Sequence, residues 1–388
     1  MVSILIIIIY LSFIALGLPD SLFGSSWPVM HNQLQVSLSS AGLVTMTVSI
    51  GTIVSSLLSD KMTKKFGSAI VTAVSILLTA MALIGISVSN KLFMVILFSI
   101  PLGLGAGAVD AALNNYVALH YSSRHMSWLH CFWGVGASIS PFIISYFLKN
   151  GLRWDKGYLT IGIILLVISI IVFASIPLWK KNISIEESKN EKSNSIISIV
   201  KLPGVLFILL AFFCYCAAES TTFSWASSYF VLAKMESVEI AAKYASLFYL
   251  GMTSSRFITG FFADKIGDKN MLRYSSLLAI FSLVMMVIPF SNNIVSVIFI
   301  FFFGFGCGPI YPSIIHSTPN NFGKENSQIV IGIQMACAYL GTTLMPPLFG
   351  LIANNININY FPWFLLVLVV ISFIMIELLN YVKKKKTD

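Results

Sequence analysis

The chain has 388 residues, 57% of them hydrophobic and only 10% charged, with a mean hydropathy of +0.88. A soluble domain carries about 25% charge and a membrane barrel alternates over ~10-residue strands, so both are excluded in favour of an all-α, polytopic membrane protein. The net charge of +9 is no sign of a nucleic-acid partner, because the cations gather at the ends of apolar runs, as membrane topology places them.

Twelve apolar runs long enough to cross a ~30 Å hydrocarbon core follow one another: 3–30, 41–59, 68–88, 92–119, 128–147, 157–179, 203–232, 240–263, 271–290, 294–316, 327–353 and 360–382. The first shows no basic leader and no small-residue cleavage site, so it reads as a span and not as a cleaved signal. A polar stretch rich in Glu, Lys, Ser and Asn interrupts the series and reads as a solvated linker. The expected organisation is an N-terminal six-helix bundle at 1–179, a cytoplasmic linker at 180–202 and a C-terminal six-helix bundle at 203–388. With both termini in the cytoplasm of a cell-membrane protein, inner segments hold 17 Lys and Arg, outer loops hold six, and Arg256 lies within a span. The terminal run Lys383–Lys386 suits anchorage on anionic lipid. The five cysteines all fall in apolar runs and read as small buried hydrophobes.

Span one contains Gly17-Leu18-Pro19-Asp20. Pro19 removes a backbone donor, so a kink is expected beside an acid that is costly at membrane depth. Trp27 follows as an aromatic wall or an interfacial anchor. In span four, Gly103, Gly107, Asp110 and Asn114 fall on one helical face, and Asn115 is adjacent. Span five opens with His130-Cys131-Phe132-Trp133. Span seven places Tyr215, Glu219 and Thr222 on one face, with Trp225 close by. Arg256, in the inner half of span eight, calls for a partner. Span ten carries Gly304, Gly306, Gly308 and Pro309-Ile310-Tyr311-Pro312, so a bend is expected there. Span eleven contributes Gln334. Candidate proton-coupling residues are Asp20 and Asp110. Candidate substrate ligands are Asn114, Asn115, His130, Trp133, Glu219, Trp225, Tyr311 and Gln334.

After span two the chain reads Ser56-Leu-Leu-Ser-Asp60-Lys61-Met-Thr-Lys64-Lys65, and after span eight Gly260-Phe-Phe-Ala-Asp264-Lys265-Ile-Gly267-Asp268-Lys269. The two align without a gap at an offset of 204 residues, as a parallel repeat would give. They resemble the loop signature of the major facilitator superfamily, Gly-x-Leu-Ala-Asp-Arg/Lys-x-Gly-Arg/Lys-Lys, with Ser56 and Thr63 replacing both glycines in the first copy. The resemblance implies two six-helix bundles rocking about a central cavity. It implies a cytoplasmic gate that includes Asp60, Lys61, Asp264 and Lys265, with Arg256 in a gate or bundle ion pair.

Gly-Leu-Pro-Asp20, Asp110-x-x-x-Asn114, Leu129-His130-x-Phe-Trp-Gly-x-Gly and Tyr311-Pro312-Ser313-Ile314 resemble the fucose permease branch and its hexose-transporting relatives. That branch has an acid on the first helix, another on the fourth and an amide or histidine early on the fifth, which by position are Asp20, Asp110 and His130. The fourth-helix acid is glutamate in the fucose permease and aspartate here. The resemblance implies proton-driven uptake of a monosaccharide, and the residues suit it: hydroxyls need acids and amides, while CH-rich sugar faces stack on aromatic rings. A drug or small-metabolite proton antiporter and a sodium-coupled sugar carrier remain open as alternatives. No cofactor is implied, no metal-ligand spacing is present among the five histidines, no enzyme constellation stands out, and a monomer in the bilayer is expected.

Overall fold

The computed structural model describes residues 4–37, 40–150, 153–179, 196–288 and 293–387. Every regular element among them is helical. In lipid each backbone polar group needs an internal partner, which a helix supplies within one segment. The helices are α1 Ile4–Asp20, α2 Leu22–Gln33, α3 Ala41–Phe66, α4 Ser68–Ser87, α5 Leu92–His120, α6 Ser123–Lys149, α7 Trp154–Ala174 and the short α8 Ile196–Val200. They continue as α9 Val205–Leu232, α10 Val238–Thr259, α11 Ala263–Ile266, α12 Asp268–Val287, α13 Ile294–Cys307, α14 Ile310–Phe322, α15 Lys324–Asn355 and α16 Phe361–Thr387.

Eleven helical segments among the described residues are long and apolar enough to cross a membrane. The twelfth expected span is α10, which has 22 residues but dilutes its apolarity with Lys243, Thr253, Ser254, Ser255 and Arg256. Two spans are broken where proline was expected to bend them. The first stops at Asp20 and restarts at Leu22; the tenth stops at Cys307 and restarts at Ile310. The linker reading falls largely outside the described residues, which resume at Ile196.

Contacts divide the chain into two compact units, Met1–Tyr116 with Leu129–Ser193, and Val117–Trp128 with Asn194–Asp388. In the first unit α4 packs along α7. In the second, α9 packs against α15 and α16, α10 against α13, and α12 against α13 and α16.

Glycines fix the closest crossings. A Cβ on Gly103 would lie 2.2 Å from the Val48 carbonyl oxygen, and one on Gly107 2.2 Å from that of Thr52. The glycine half of the span-four stripe is therefore the seat for α3. The second unit repeats this: a Cβ on Gly304 would meet the Phe248 oxygen at 2.1 Å, and one on Gly251 the Phe301 oxygen at 2.2 Å.

These contacts correct the register of the repeat. Gly51 and Gly251 sit at equivalent crossings, each within its own unit, Ser55 flanks Gly107 as Ser255 flanks Gly308, and Gly105 rests on Ser75 as Gly306 rests on Ser275. Gly67 (φ 82°) and Gly267 (φ 76°) make the same turn into α4 and α12. The packing offset is thus 200 positions in the second and third spans of each unit and 201 in the fourth, about one helical turn less than the 204 that the Asp-Lys pairs suggested. Lys64, not Asp60, occupies the place of Asp264. Asp60 lies one turn earlier within α3 and pairs with Lys64 at 3.1 Å. The expected loop after span two is continuous helix up to Phe66, because nothing there breaks it before Gly67.

Candidate functional site

In the first unit, α1 and α6 cross at two glycines. A Cβ on Gly17 would lie 2.1 Å from the Trp133 carbonyl oxygen, and one on Gly136 2.3 Å from that of Ile14. This close approach puts the end of α1 beside Trp133. The break is tied to α6 by hydroxyls: Ser140 donates to the Leu18 carbonyl and Ser21 to that of Ala137. Asp20 sits at the break, exposed, and its Oδ2 accepts the Trp133 indole N–H at 2.7 Å.

Asp110, Asn114 and His130 are buried within the same unit. The Asn114 amide donates to Asp110 Oδ1 at 2.7 Å and to the Asp110 carbonyl at 3.0 Å. Its oxygen meets His130 Nε2 at 3.0 Å, which makes that ring nitrogen the donor. The Phe13 ring closes on His130 edge-on at 5.3 Å. An acid, an amide and an imidazole thus form one hydrogen-bonded row from α5 to α6. The i, i+4 spacing of Asp110 and Asn114 was legible; the meeting with His130 was not. Asn115 is buried alongside.

In the second unit, Arg256 Nη2 reaches Glu219 Oε1 at 3.4 Å, with side chains only 3% and 10% exposed. Arg256 Nε also donates to the Gly308 carbonyl at 3.2 Å. The physical reason is in the sequence: Pro312, four residues on, has no N–H to offer that oxygen. Tyr215 donates to the neighbouring Cys307 carbonyl at 3.0 Å. Residues expected to face substrate (Glu219) and gate (Arg256) therefore meet in one buried cluster that satisfies the broken tenth span. Tyr311 donates to Met335 Sδ at 3.1 Å and packs on Phe212. Gln334 is fully buried and accepts from Thr318 at 3.1 Å, and its Nε2 has no partner among the described residues. Trp225 gives its indole N–H to the Pro346 carbonyl at 2.9 Å and covers Gly350.

Also in the second unit, Asp264 holds the start of α6. It accepts the Arg124 backbone N–H and the Ser122 hydroxyl, both at 3.0 Å, and pairs with Arg124 Nε at 3.4 Å. A carboxylate at a helix N-terminus meets free backbone donors and the positive end of the dipole. Asp268 adds a bond from Ser123 and one with His316 Nδ1, both at 2.6 Å, and His316 Nε2 meets the Tyr121 carbonyl at 3.1 Å. Sequence reading missed Asp268 and His316 in this cluster. Lys61 and Lys265 are exposed. No cluster of three or more His, Cys, Asp or Glu side chains suited to a metal occurs among the described residues.

The family model described as Major Facilitator Superfamily matches residues 9–327 and 237–388. A curated relative, Bypass of stop codon protein 6 of Saccharomyces cerevisiae, is 24% identical over 93% of this chain and 79% of its own length. Among solved structures, the E. coli fucose:proton symporter FucP aligns over 96% of this chain and 98% of its own, with a TM-score of 0.79 at 17% identity. The proton:xylose symporter XylE aligns over 95% and 94%, with a TM-score of 0.79 at 13% identity. At those identities the solved structures attest the fold alone, whereas the family model spans most of the sequence. Together with the run of apolar helices, it establishes that the chain belongs to the Major Facilitator Superfamily and is a multi-pass membrane transporter.

Proposed function

We propose that this transporter carries a monosaccharide into the cell by alternating access, driven by protons. Asp20 carries the reading. It is exposed at a helix break, it takes part in no ion pair among the described residues, and its oxygen is held by a neutral indole. Binding a proton there changes net charge and turns an acceptor into a donor for a sugar hydroxyl. One site can thereby link two binding events. Glu219 differs, because Arg256 already balances it. Asp110, joined to Asn114 and His130, is the second coupling acid, and Trp133 offers a face to a sugar ring. The proton symporters FucP and XylE share the fold, which suits the same reading. The bias of Lys and Arg supports an orientation with both termini in the cytoplasm of a cell-membrane protein, and the bonds of Asp264 with Arg124 suit a cytoplasmic gate.

The test is Asp20→Asn in proteoliposomes, with uptake of labelled hexoses and pentoses. A pH difference of one unit supplies about 1.4 kcal/mol per proton, enough for about tenfold accumulation at one proton per sugar. The variant should still exchange internal for external sugar but should not concentrate it. Accumulation at the wild-type level removes Asp20 from coupling. Wild-type uptake that follows sodium and ignores pH installs the sodium-coupled reading.

A further inference from the structure

A cavity of about 340 Å³ opens at the end of the second unit where α9 and α12 begin and α14 and α16 finish. Its volume is at the lower end of the range of ~300–1,000 Å³ typical of ligand pockets. The lining has two characters. Lys269, Lys383 and Lys384 are basic, with Asn321 and Asn380 beside them, and the remainder is chiefly aliphatic, including Leu272 and Ile376. Among the described residues, no carboxylate lines it. Of the acids on the same helices, Glu377 is held chiefly by Arg273 and also accepts from the lining Asn380 at 3.5 Å, and Asp268 is held by Ser123 and His316. Lys383 is fixed in place. It donates to the Asn321 carbonyl at the end of α14 and lies over the Phe322 ring at 4.4 Å.

We propose that this cavity binds the phosphate of an anionic phospholipid. Three ammonium groups and two side-chain amides supply charge and hydrogen bonds for phosphate oxygens. The lysines stand where helices start and end, and basic pockets between spans suit anionic headgroups. The aliphatic wall continues from the basic one and suits the first carbons of an acyl chain. A soluble phosphate would use the lysines and leave that wall unused. The site is independent of the transported solute.

The full chain, purified in detergent, is titrated with phosphatidylglycerol, phosphatidylcholine and inorganic phosphate, with thermal unfolding as the readout. A ligand that binds only the folded state raises apparent stability. Phosphatidylglycerol should raise the midpoint, and phosphatidylcholine should not. In Lys269→Gln/Lys384→Gln, which leaves the Lys383 contacts intact, apparent affinity for phosphatidylglycerol should fall at least tenfold. Lys65→Gln/Lys385→Gln removes the same charge outside the lining and should bind as the wild type does. Equal response to the two lipids, undiminished binding by the first variant, or equal loss in the second overturns the site. Inorganic phosphate binding as tightly as phosphatidylglycerol overturns the lipid assignment.

Discussion

The Glu219–Arg256 pair permits a prediction with an internal control. Arg256→Met removes two things at once. It leaves Glu219 as a buried charge, and it takes the donor from the Gly308 carbonyl. Stranding one partner of a buried ion pair costs about 3–5 kcal/mol, and a buried carbonyl without a donor adds about 1–3 kcal/mol. Adding Glu219→Gln to Arg256→Met removes the stranded charge but not the orphaned carbonyl. The double variant should therefore recover about 3–5 kcal/mol and remain about 1–3 kcal/mol below wild type. Inactivation half-lives of purified protein at fixed temperature report these differences where unfolding is irreversible. Sugar affinity of the double variant should stay within a few-fold of wild type if the cluster serves the tenth-span break. The reasoning is refuted if Arg256→Met is as durable as wild type, or if the double variant is no better than the single.

Three further outcomes follow from the geometry. Gly136→Ala should abolish the folded first unit, measured as loss of monodisperse protein, because its Cβ would press on the Ile14 carbonyl oxygen at 2.3 Å; normal yield would mean that the crossing relaxes freely. Asn114→Ala leaves Asp110 and His130 each short of a partner, at about 1–3 kcal/mol per buried group; sugar affinity should fall roughly 5- to 150-fold, whereas lowered stability with unchanged affinity confines Asn114 to packing. Asp264→Asn keeps an oxygen for the Arg124 amide but loses the charge that pairs with its guanidinium; transport should slow while equilibrium affinity stays within a few-fold, and abolished binding in a folded protein would move Asp264 from gate to site.

The sequence by itself determined the order and approximate positions of the spans, the breaks at Pro19 and at Pro309-Pro312, and the meeting of Asp110 with Asn114. Each is a local property. A backbone in lipid must bond within its own segment, proline withdraws one donor at a known position, and residues four apart on a helix share a face. Only the tertiary structure decided that His130 closes on Asn114, that Trp133 meets Asp20, and that Arg256 serves both Glu219 and the Gly308 carbonyl. It also moved the repeat by one turn, since two Asp-Lys pairs align as text while packing follows Gly51 with Gly251 and Gly67 with Gly267. The reason is the same throughout. Partners far apart in sequence depend on how each helix is rotated about its axis and how closely it approaches its neighbour. Those are set by backbone contacts at Gly17, Gly103, Gly136 and Gly304, where the informative feature is a side chain that is missing and hydropathy records nothing.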